Sequence, residues 1–281
     1  MRYADLYAQG KEILTGAQIE EAALDARLLL EYVCATDRTT LFAHPEKEVS
    51  AEQQEQYKEL IAKRSQHIPL QHLTGQQDFM GLTFQVNEHV LIPRQDTEIL
   101  VEEVMRDLHD GVRILDMCTG SGCILLSLLH YSNDTTGVGA DLSEEALTVA
   151  KANAESLGMA ERAEFVHSDL FEKIDEKFDL IVSNPPYIRT DVIETLMPEV
   201  REHDPRMALD GTADGLYFYR TIIKESEHYL KRGGQLFFEI GHDQAEDVVT
   251  LMQRHGYKEI EVKKDYAGLD RVVFGTFLGG K

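Results

Sequence analysis

Long apolar runs are missing from this chain. The longest, about Cys123 to Leu129, falls far short of the roughly 20 residues that a bilayer span requires. The opening MRYADLYAQGKE has no apolar core of the kind a secretion signal carries. No membrane partner is therefore expected. Cysteine is scarce: Cys34, Cys118 and Cys123 form no CxxC pair and leave an odd count, as expected of reduced thiols in a cytoplasmic protein without disulfides or structural zinc. The 11 histidines show neither HxH nor HExxH spacing, so solvated or hydrogen-bonded histidines are the reading and no metal is expected. Basic residues are also in deficit. With 28 Lys and Arg against 50 Asp and Glu, the formal charge of -22 disfavours a partner gripped through its phosphates, and no direct nucleic-acid partner is expected.

What is present is enough apolar material for one large domain or two ordinary ones, 43% of 281 residues. Residues 1–73 read as helical throughout. In IEEAALDARLLLEYV the residues Ile19, Ala22, Ala23, Ala26, Leu29, Leu30 and Val33 recur at helical spacing, and Ser50 and Gln53 open SAEQQEQYKELIAKR in capping-box spacing. Over residues 74–93 the period changes. Leu82, Phe84 and Val86 alternate with Thr83 and Gln85, and Met80-Gly81 suits a tight turn, so a β-hairpin is expected to link two domains. From Arg94 to residue 281, helical and strand patterns alternate: TEILVEEVMRDLHDG, then VRILDM, GCILLSLLHY, TTGVGAD, SEEALTVAKANAESLG, AEFVHSD and FDLIVS. A helix from Tyr217, the strand GGQLFFEIG, a helix from Asp243 and two closing strands follow. That order implies an α/β domain whose mostly parallel sheet is covered on both faces.

Within ILDMCTGSGCI a strand runs into Thr119, Gly120, Ser121 and Gly122 and then into a helix, a turn whose backbone amides can approach a ligand at a helix N-terminus. Alone, this is a weak signal. It gains weight from Asp116 at the end of that strand and from Asp141 at the end of the next, where a carboxylate can accept hydrogen bonds from two ribose hydroxyls. Asp169 ends the third strand, and the fourth ends in SNPPYIRT. All four places fall on the carboxyl edge of the sheet, where open α/β folds bind ligands. The competing role for Asp141 and Asp169 is capping of the following helix. In SNPPYIRT, proline fixes its own φ, donates no backbone hydrogen bond and pushes the preceding residue toward extended conformations, so Asn184 and Pro185 are both held stiffly.

Together, DxCxGxG, Asp141 and NPPY resemble an S-adenosylmethionine-dependent methyltransferase acting on a planar nitrogen. More narrowly, LIPRQDTEILVE, SNPPYI, PEVREHDPRMALDGTADGLYFY, FFEIGHDQ and DYAGLDRVVF are similar to the HemK/PrmC family, the peptide-chain release factor glutamine methyltransferases. The similarity runs over nearly the whole chain and includes IPLQHLTG at the domain junction. It implies a Rossmann-like class I sheet of seven strands, the last antiparallel, preceded by a helical substrate-recognition domain. It implies S-adenosyl-L-methionine held by Asp116, Cys118, Thr119, Gly120, Ser121, Gly122, Asp141, Asp169, Leu170 and Asn184, and a substrate glutamine held by Asn184, Pro185, Pro186 and Tyr187. The implied partner is a class 1 release factor presenting its Gly-Gly-Gln loop to a monomeric enzyme. Two positions depart from the pattern. Cys118 stands where the family usually has the first loop glycine, and Leu170 where some members carry an aromatic residue.

An amide nitrogen is a poor nucleophile because its lone pair is delocalised, so a methylase must orient it. Asn184 Oδ1 can accept one N–H and the Pro185 carbonyl the other, with Tyr187 expected to pack on the amide plane. Glu239 in FFEIG and Arg94 in IPRQDTE read equally well as cleft residues and as a strand-end carboxylate and an interdomain ion pair, and neither enters the catalytic set. A ribosomal-protein glutamine methyltransferase and an adenine-N6 DNA methyltransferase share NPPY and stand as alternatives. The second must flip a base and grip phosphates, which the charge of -22 disfavours. An inactive cofactor-binding protein is a third reading, against which intact NPPY beside Asp141 argues.

Overall fold

The computed structural model describes residues 1–279. It opens on helices α1 (Tyr3–Gly16), α2 (Ala22–Cys34), α3 (Arg38–Ala43), α4 (Ala51–Arg64) and α5 (Leu70–Thr74), followed by strands β1 (Gln76–Phe79) and β2 (Leu82–Gln85). Next come α6 (Gln95–Asp107), β3 (Arg113–Met117), α7 (Cys123–His130), β4 (Thr136–Asp141), α8 (Glu144–Ser156), β5 (Ala163–His167) and β6 (Phe178–Ser183). Three short helices, α9 (Thr190–Ile193), α10 (Pro198–His203) and α11 (Arg206–Leu209), precede α12 (Tyr217–Tyr229), β7 (Leu230–Glu239), α13 (Ala245–Arg254), β8 (Lys258–Lys264) and β9 (Asp270–Phe277).

Residues 1–76 form one compact unit together with Met197–His203. Its core joins Leu6 and Leu14 of α1 to Ala26, Leu29 and Leu30 of α2 and to Tyr57 and Ile61 of α4. Burying a tyrosine hydroxyl requires a partner, and Tyr57 donates to the Ala26 carbonyl at 3.0 Å. Ser50 caps α4 as its spacing with Gln53 requires, accepting the Gln53 N–H at 3.2 Å. The segment 197–203 is bound through charge. Buried Arg64 donates to Asp25 at 2.7 Å and to Glu199 of α10 at 3.1 Å, and His67 Nδ1 lies 3.0 Å from the same Glu199. Two carboxylates around one guanidinium satisfy a charge that burial alone would make costly.

The second unit takes in residues 77–196 and 204 onward. Its seven strands lie in the order β5-β4-β3-β6-β7-β9-β8, all neighbours parallel until β9, which runs antiparallel to both β7 and β8. The two faces follow from the period of two along each strand. Ile114, Leu180, Val182 and Phe237 enter the core shared with Leu100 and Val104 of α6 and Leu125 and Leu128 of α7. Their alternates Leu115, Met117, Ile181, Leu236 and Phe238 enter the core shared with Tyr219 and Ile223 of α12 and Val248 and Met252 of α13. Strands buried on both faces read as near-continuous apolar runs, which is why FDLIVS and GGQLFFEIG lack alternation. A two-stranded hairpin of β1 and β2 precedes the sheet and buries Phe79 and Phe84 in the first of these cores. Among the described residues no helix is long and apolar enough to cross a membrane, and no group of three metal-ligating side chains occurs.

Candidate active site

Register places the site. Asp116 and Met117 of β3 lie beside Gly139 and Ala140 of β4, Met117 lies beside Ser183 of β6, and Asp141 lies beside His167 of β5. Cys118, Leu142, Ser168 and Asn184 therefore leave neighbouring strands at one edge. Cross-strand bonds hold that edge: Cys118 and Thr119 N–H both donate to Ala140 O, at 2.9 and 3.1 Å, Ser168 N–H donates to Asp141 O at 2.9 Å, and Ser183 Oγ donates to Met117 O at 2.6 Å.

A cavity of about 340 Å³ opens there. Cys118, Thr119, Gly120, Ser121, Asp141, Asp169, Leu170, Asn184 and Pro186 all line it. The structure thus brings most of the sequence-expected residues together. Asp116, Gly122, Pro185 and Tyr187 are not among the residues that line it.

Asp116 is fully buried beneath the loop. Its Oδ2 accepts from Thr119 Oγ1 at 2.6 Å and from Leu125 N–H at 3.3 Å, while Oδ1 has no hydrogen-bond partner among the described residues. Burial pushes its carboxyl up to about 7, against the pull of those two donors. Asp141 does not cap the helix that follows it. That role falls to Ser143, whose Oγ accepts the Ala146 N–H at 3.0 Å. Asp141 instead accepts Gly120 N–H at Oδ2 and Ser143 N–H at Oδ1, each at 2.9 Å. A carboxylate offers about four acceptor sites, so each oxygen keeps one for a ligand hydroxyl. Burial pushes the Asp141 carboxyl up, and the backbone donors Ser143 and Gly120 pull it back.

The loop turns through left-handed backbone at Gly120, φ +55°, where an added β-carbon would meet nothing within 4 Å, so the loop backbone faces open space. Cys118 adopts the same region, φ +64°, and Leu170 does so at φ +48°. Both family departures thus sit where a β-carbon is strained by roughly 1–2 kcal/mol. Burial first, then the Asp141 and Asp116 charges, pushes the Cys118 thiol up.

The NPPY segment is braced from behind. Ile188 N–H donates to Leu209 O at 3.0 Å, Gly211 N–H to Ile188 O at 2.8 Å, and Gln244 Nε2 to Tyr187 O at 3.1 Å. A β-carbon on Gly211 would lie 2.7 Å from Tyr187 Cα and 2.9 Å from Pro186 O, both backbone atoms that cannot swing aside. Gly211→Ala is expected to cost about 1–3 kcal/mol of stability. Urea unfolding of the two proteins checks this, and midpoints that coincide would refute the close approach. The Tyr187 hydroxyl donates to Glu239 Oε1 at 3.2 Å, and burial, then the Glu239 charge, raises its pKa so that the phenol stays protonated.

Comparison with known proteins is consistent along the chain. Residues 5–75 match the model described as PrmC N-terminal domain, and residues 94–200 the model described as methyltransferase small domain. A Clostridium acetobutylicum protein named release factor glutamine methyltransferase is 40% identical over 281 residues, covering 98% of this chain and 99% of the relative. The chain belongs to the release factor glutamine methyltransferase family. A Caulobacter vibrioides protein of the same name is 42% identical, covering 96% of this chain and 94% of its own. At the level of fold alone, a T. thermophilus 16S rRNA N2 G1207 methyltransferase solved in complex with AdoMet and guanosine aligns with TM-score 0.52 and 17% identity, covering 72% of this chain and 49% of that one.

In this member of the release factor glutamine methyltransferase family the cavity is also lined by Arg94, for which the sequence left a cleft role open, and by residues that the motifs did not select. Thr97 and Arg94 line the cavity from the start of α6, and Pro205, Met207 and Ala208 line it from α11 and the residue before it. Arg94 is not an interdomain pair. It donates to Asp204 at 2.5 Å, and both residues lie in the second unit. Asn153 of α8, fully buried, accepts Gln85 N–H at 2.7 Å and donates to Gln85 O at 3.1 Å and Ser121 O at 2.9 Å, tying the hairpin to the glycine loop. An asparagine amid the helical pattern of SEEALTVAKANAESLG was the only trace of this in the sequence.

Proposed function

We propose that this chain transfers a methyl group from S-adenosyl-L-methionine to the side-chain amide nitrogen of the glutamine in the Gly-Gly-Gln loop of class 1 release factors. The observation that carries the reading is that Asn184, heading NPPY, lines the same cavity as Asp141 and residues 118–121. Family membership supports it independently.

The residues present suit the cofactor. Asp141 keeps one acceptor site on each oxygen for the two ribose hydroxyls. The open backbone at Gly120 admits close approach, and the buried Asp116 Oδ1 without a protein partner suits a cation or a bridged amine. Thr119, Ser121, Asp169 and Leu170 complete the lining we assign to it, with Gly122 supplying the turn into α7 and Cys118 the strained first position.

When bound, S-adenosylmethionine supplies a methyl group activated by a sulfonium centre. What the protein contributes is alignment. Asn184 Oδ1 and the Pro185 carbonyl accept the two N–H groups of the substrate amide, and Pro185 and Pro186 hold those acceptors rigid. Two fixed acceptors orient the nitrogen and ease the positive charge that develops on it, an electrostatic effect that requires no reorganisation at the moment of transfer. Alignment of this kind supplies roughly 7–11 kcal/mol in the best intramolecular cases, so no strong general base is required. Tyr187 buttresses the segment from the Glu239 side. The helical unit is the surface we assign to gripping the release factor, and we take the enzyme to act as a monomer.

The test is intact-mass spectrometry of a purified class 1 release factor after incubation with this protein and S-adenosylmethionine, followed by peptide mapping of the Gly-Gly-Gln loop. One added methyl group on that glutamine is the expected result. An unmodified glutamine, with cofactor binding demonstrated and the release factor folded, overturns the reading and directs the search to ribosomal proteins.

A further inference from the structure

Glu239 has no place in the chemistry above, yet it is among the most buried charged side chains of the second unit, 2% exposed at the end of β7. Its two oxygens are both occupied. Thr97 Oγ1 donates to Oε2 at 2.6 Å, and the Tyr187 hydroxyl donates to Oε1 at 3.2 Å. Thr97 is itself 3% exposed and stands in the first turn of α6, where it accepts from Asn184 Nδ2 at 3.3 Å. The chain Glu239, Thr97, Asn184 therefore runs from a buried carboxylate to the residue that heads NPPY.

The direction of that chain follows from donor and acceptor inventory. Burial pushes the Glu239 carboxyl up, while the Thr97 hydroxyl, the Arg271 charge and the Tyr187 hydroxyl pull it back toward the ionised form. In that form it only accepts, so the single hydroxyl proton of Thr97 is committed to Glu239. Thr97 Oγ1 then has only lone pairs to offer Asn184, and the one end of the Asn184 amide that can meet a lone pair is Nδ2. With Nδ2 turned to Thr97, Oδ1 is the end left to the cavity. Were Thr97 free to donate toward Asn184, the reverse orientation would be equally satisfied, and the cavity would receive an NH₂ group that repels a substrate N–H. We propose that Glu239, acting through the Thr97 hydroxyl, is a positioning residue that selects the acceptor face of Asn184, and that its contact with Tyr187 fixes the far end of the same motif. This rests on the assignment of Asn184 as the acceptor for a substrate amide, but the orientation of its side chain can be tested without any substrate.

The first readout is the Asn184 side-chain amide itself, followed by NMR in uniformly ¹⁵N-labelled protein and assigned by its disappearance in Asn184→Asp. In the wild-type protein one Nδ2 proton is bonded to Thr97 and exchanges slowly with solvent. Thr97→Val, which keeps the shape and removes the hydroxyl, is expected to speed that exchange at least tenfold. Thr97→Ser, which restores the hydroxyl, should bring it back to within about threefold of wild type. Glu239→Gln leaves the Thr97 hydroxyl in place but can donate to it from Nε2, which frees the hydroxyl proton, and it should show two Asn184 amide environments in place of one. Exchange at Asn184 that is the same in wild type and Thr97→Val overturns the relay, whether or not release factors prove to be substrates.

The second readout is kinetic. Thr97→Val and Glu239→Gln are each expected to lower kcat about tenfold with little change in the KM for S-adenosylmethionine, and Thr97→Ser to recover most of the loss. A purely structural role would lower the unfolding temperature and leave kcat of the folded fraction untouched, and that outcome also overturns the proposal.

Discussion

Asp141→Ala is expected to weaken S-adenosylmethionine binding by roughly a hundred- to ten-thousandfold. Each hydrogen bond to an ionised group contributes about 1.5–3 kcal/mol, and the carboxylate has one acceptor site left on each oxygen once Gly120 and Ser143 are satisfied. Losing two such bonds costs about 3–6 kcal/mol, which is that range of affinity. The substitution also strips partners from two backbone N–H groups that shape the loop, so the loss of preorganisation adds to the loss of contacts. Isothermal titration calorimetry on the folded variant measures it directly. An affinity within fivefold of wild type would mean that Asp141 is a loop brace and nothing more. Asp141→Asn is not a mild version of this change. Its amide presents an NH₂ end to one of the two backbone donors, so it should fall close to alanine.

Asp141 was legible in the sequence because it stands at a fixed place, the end of the strand after the glycine loop, and strand ends of a parallel sheet share one edge. The same logic made Asn184 and Asp169 readable. Each motif is a short run of neighbours in the chain, and its meaning comes from the strand it terminates. Thr97 and Asn153 carry no such mark, and Glu239, readable in FFEIG as a cleft residue or a strand-end carboxylate, gives no sign of its partners. Thr97 sits in a helical first turn where a threonine is ordinary, Glu239 closes an apolar strand, and Asn153 lies mid-helix. Thr97 and Glu239 acquire their roles only when the start of α6 meets the ends of β6 and β7, and Asn153 only when α8 meets β2 and the loop after β3. The return of residues 197–203 to the helical unit was equally silent, because it depends on Arg64 finding Glu199 across more than a hundred residues of chain. The short helices α9, α10 and α11 have too few turns to show a period. Backbone strain was half visible. Cys118 was marked by its place in a glycine pattern, and its φ of +64° lies in the left-handed region that favours glycine, whereas Leu170 at +48° had only its residue type as a signal.

Asn184→Ala is expected to lower kcat by about ten- to a few hundredfold while leaving the KM for S-adenosylmethionine close to wild type. Removing Oδ1 deletes one of two acceptors for the substrate amide, an interaction of about 1–3 kcal/mol that strengthens as charge develops on nitrogen. The Pro185 carbonyl remains, which is why the loss stops short of complete. Cofactor affinity changes little because the ribose acceptors on Asp141 belong to a different strand end. The size of the loss should also be linked to Thr97. If Glu239 and Thr97 act only by orienting Asn184, then Thr97→Val adds nothing further in an Asn184→Ala background, and the double variant matches the single one. Additive losses would instead place Thr97 in contact with the substrate itself, since it too lines the cavity. Initial-rate measurements on the release factor with all four proteins separate these cases. An Asn184→Ala enzyme with unchanged kcat would remove the acceptor mechanism altogether.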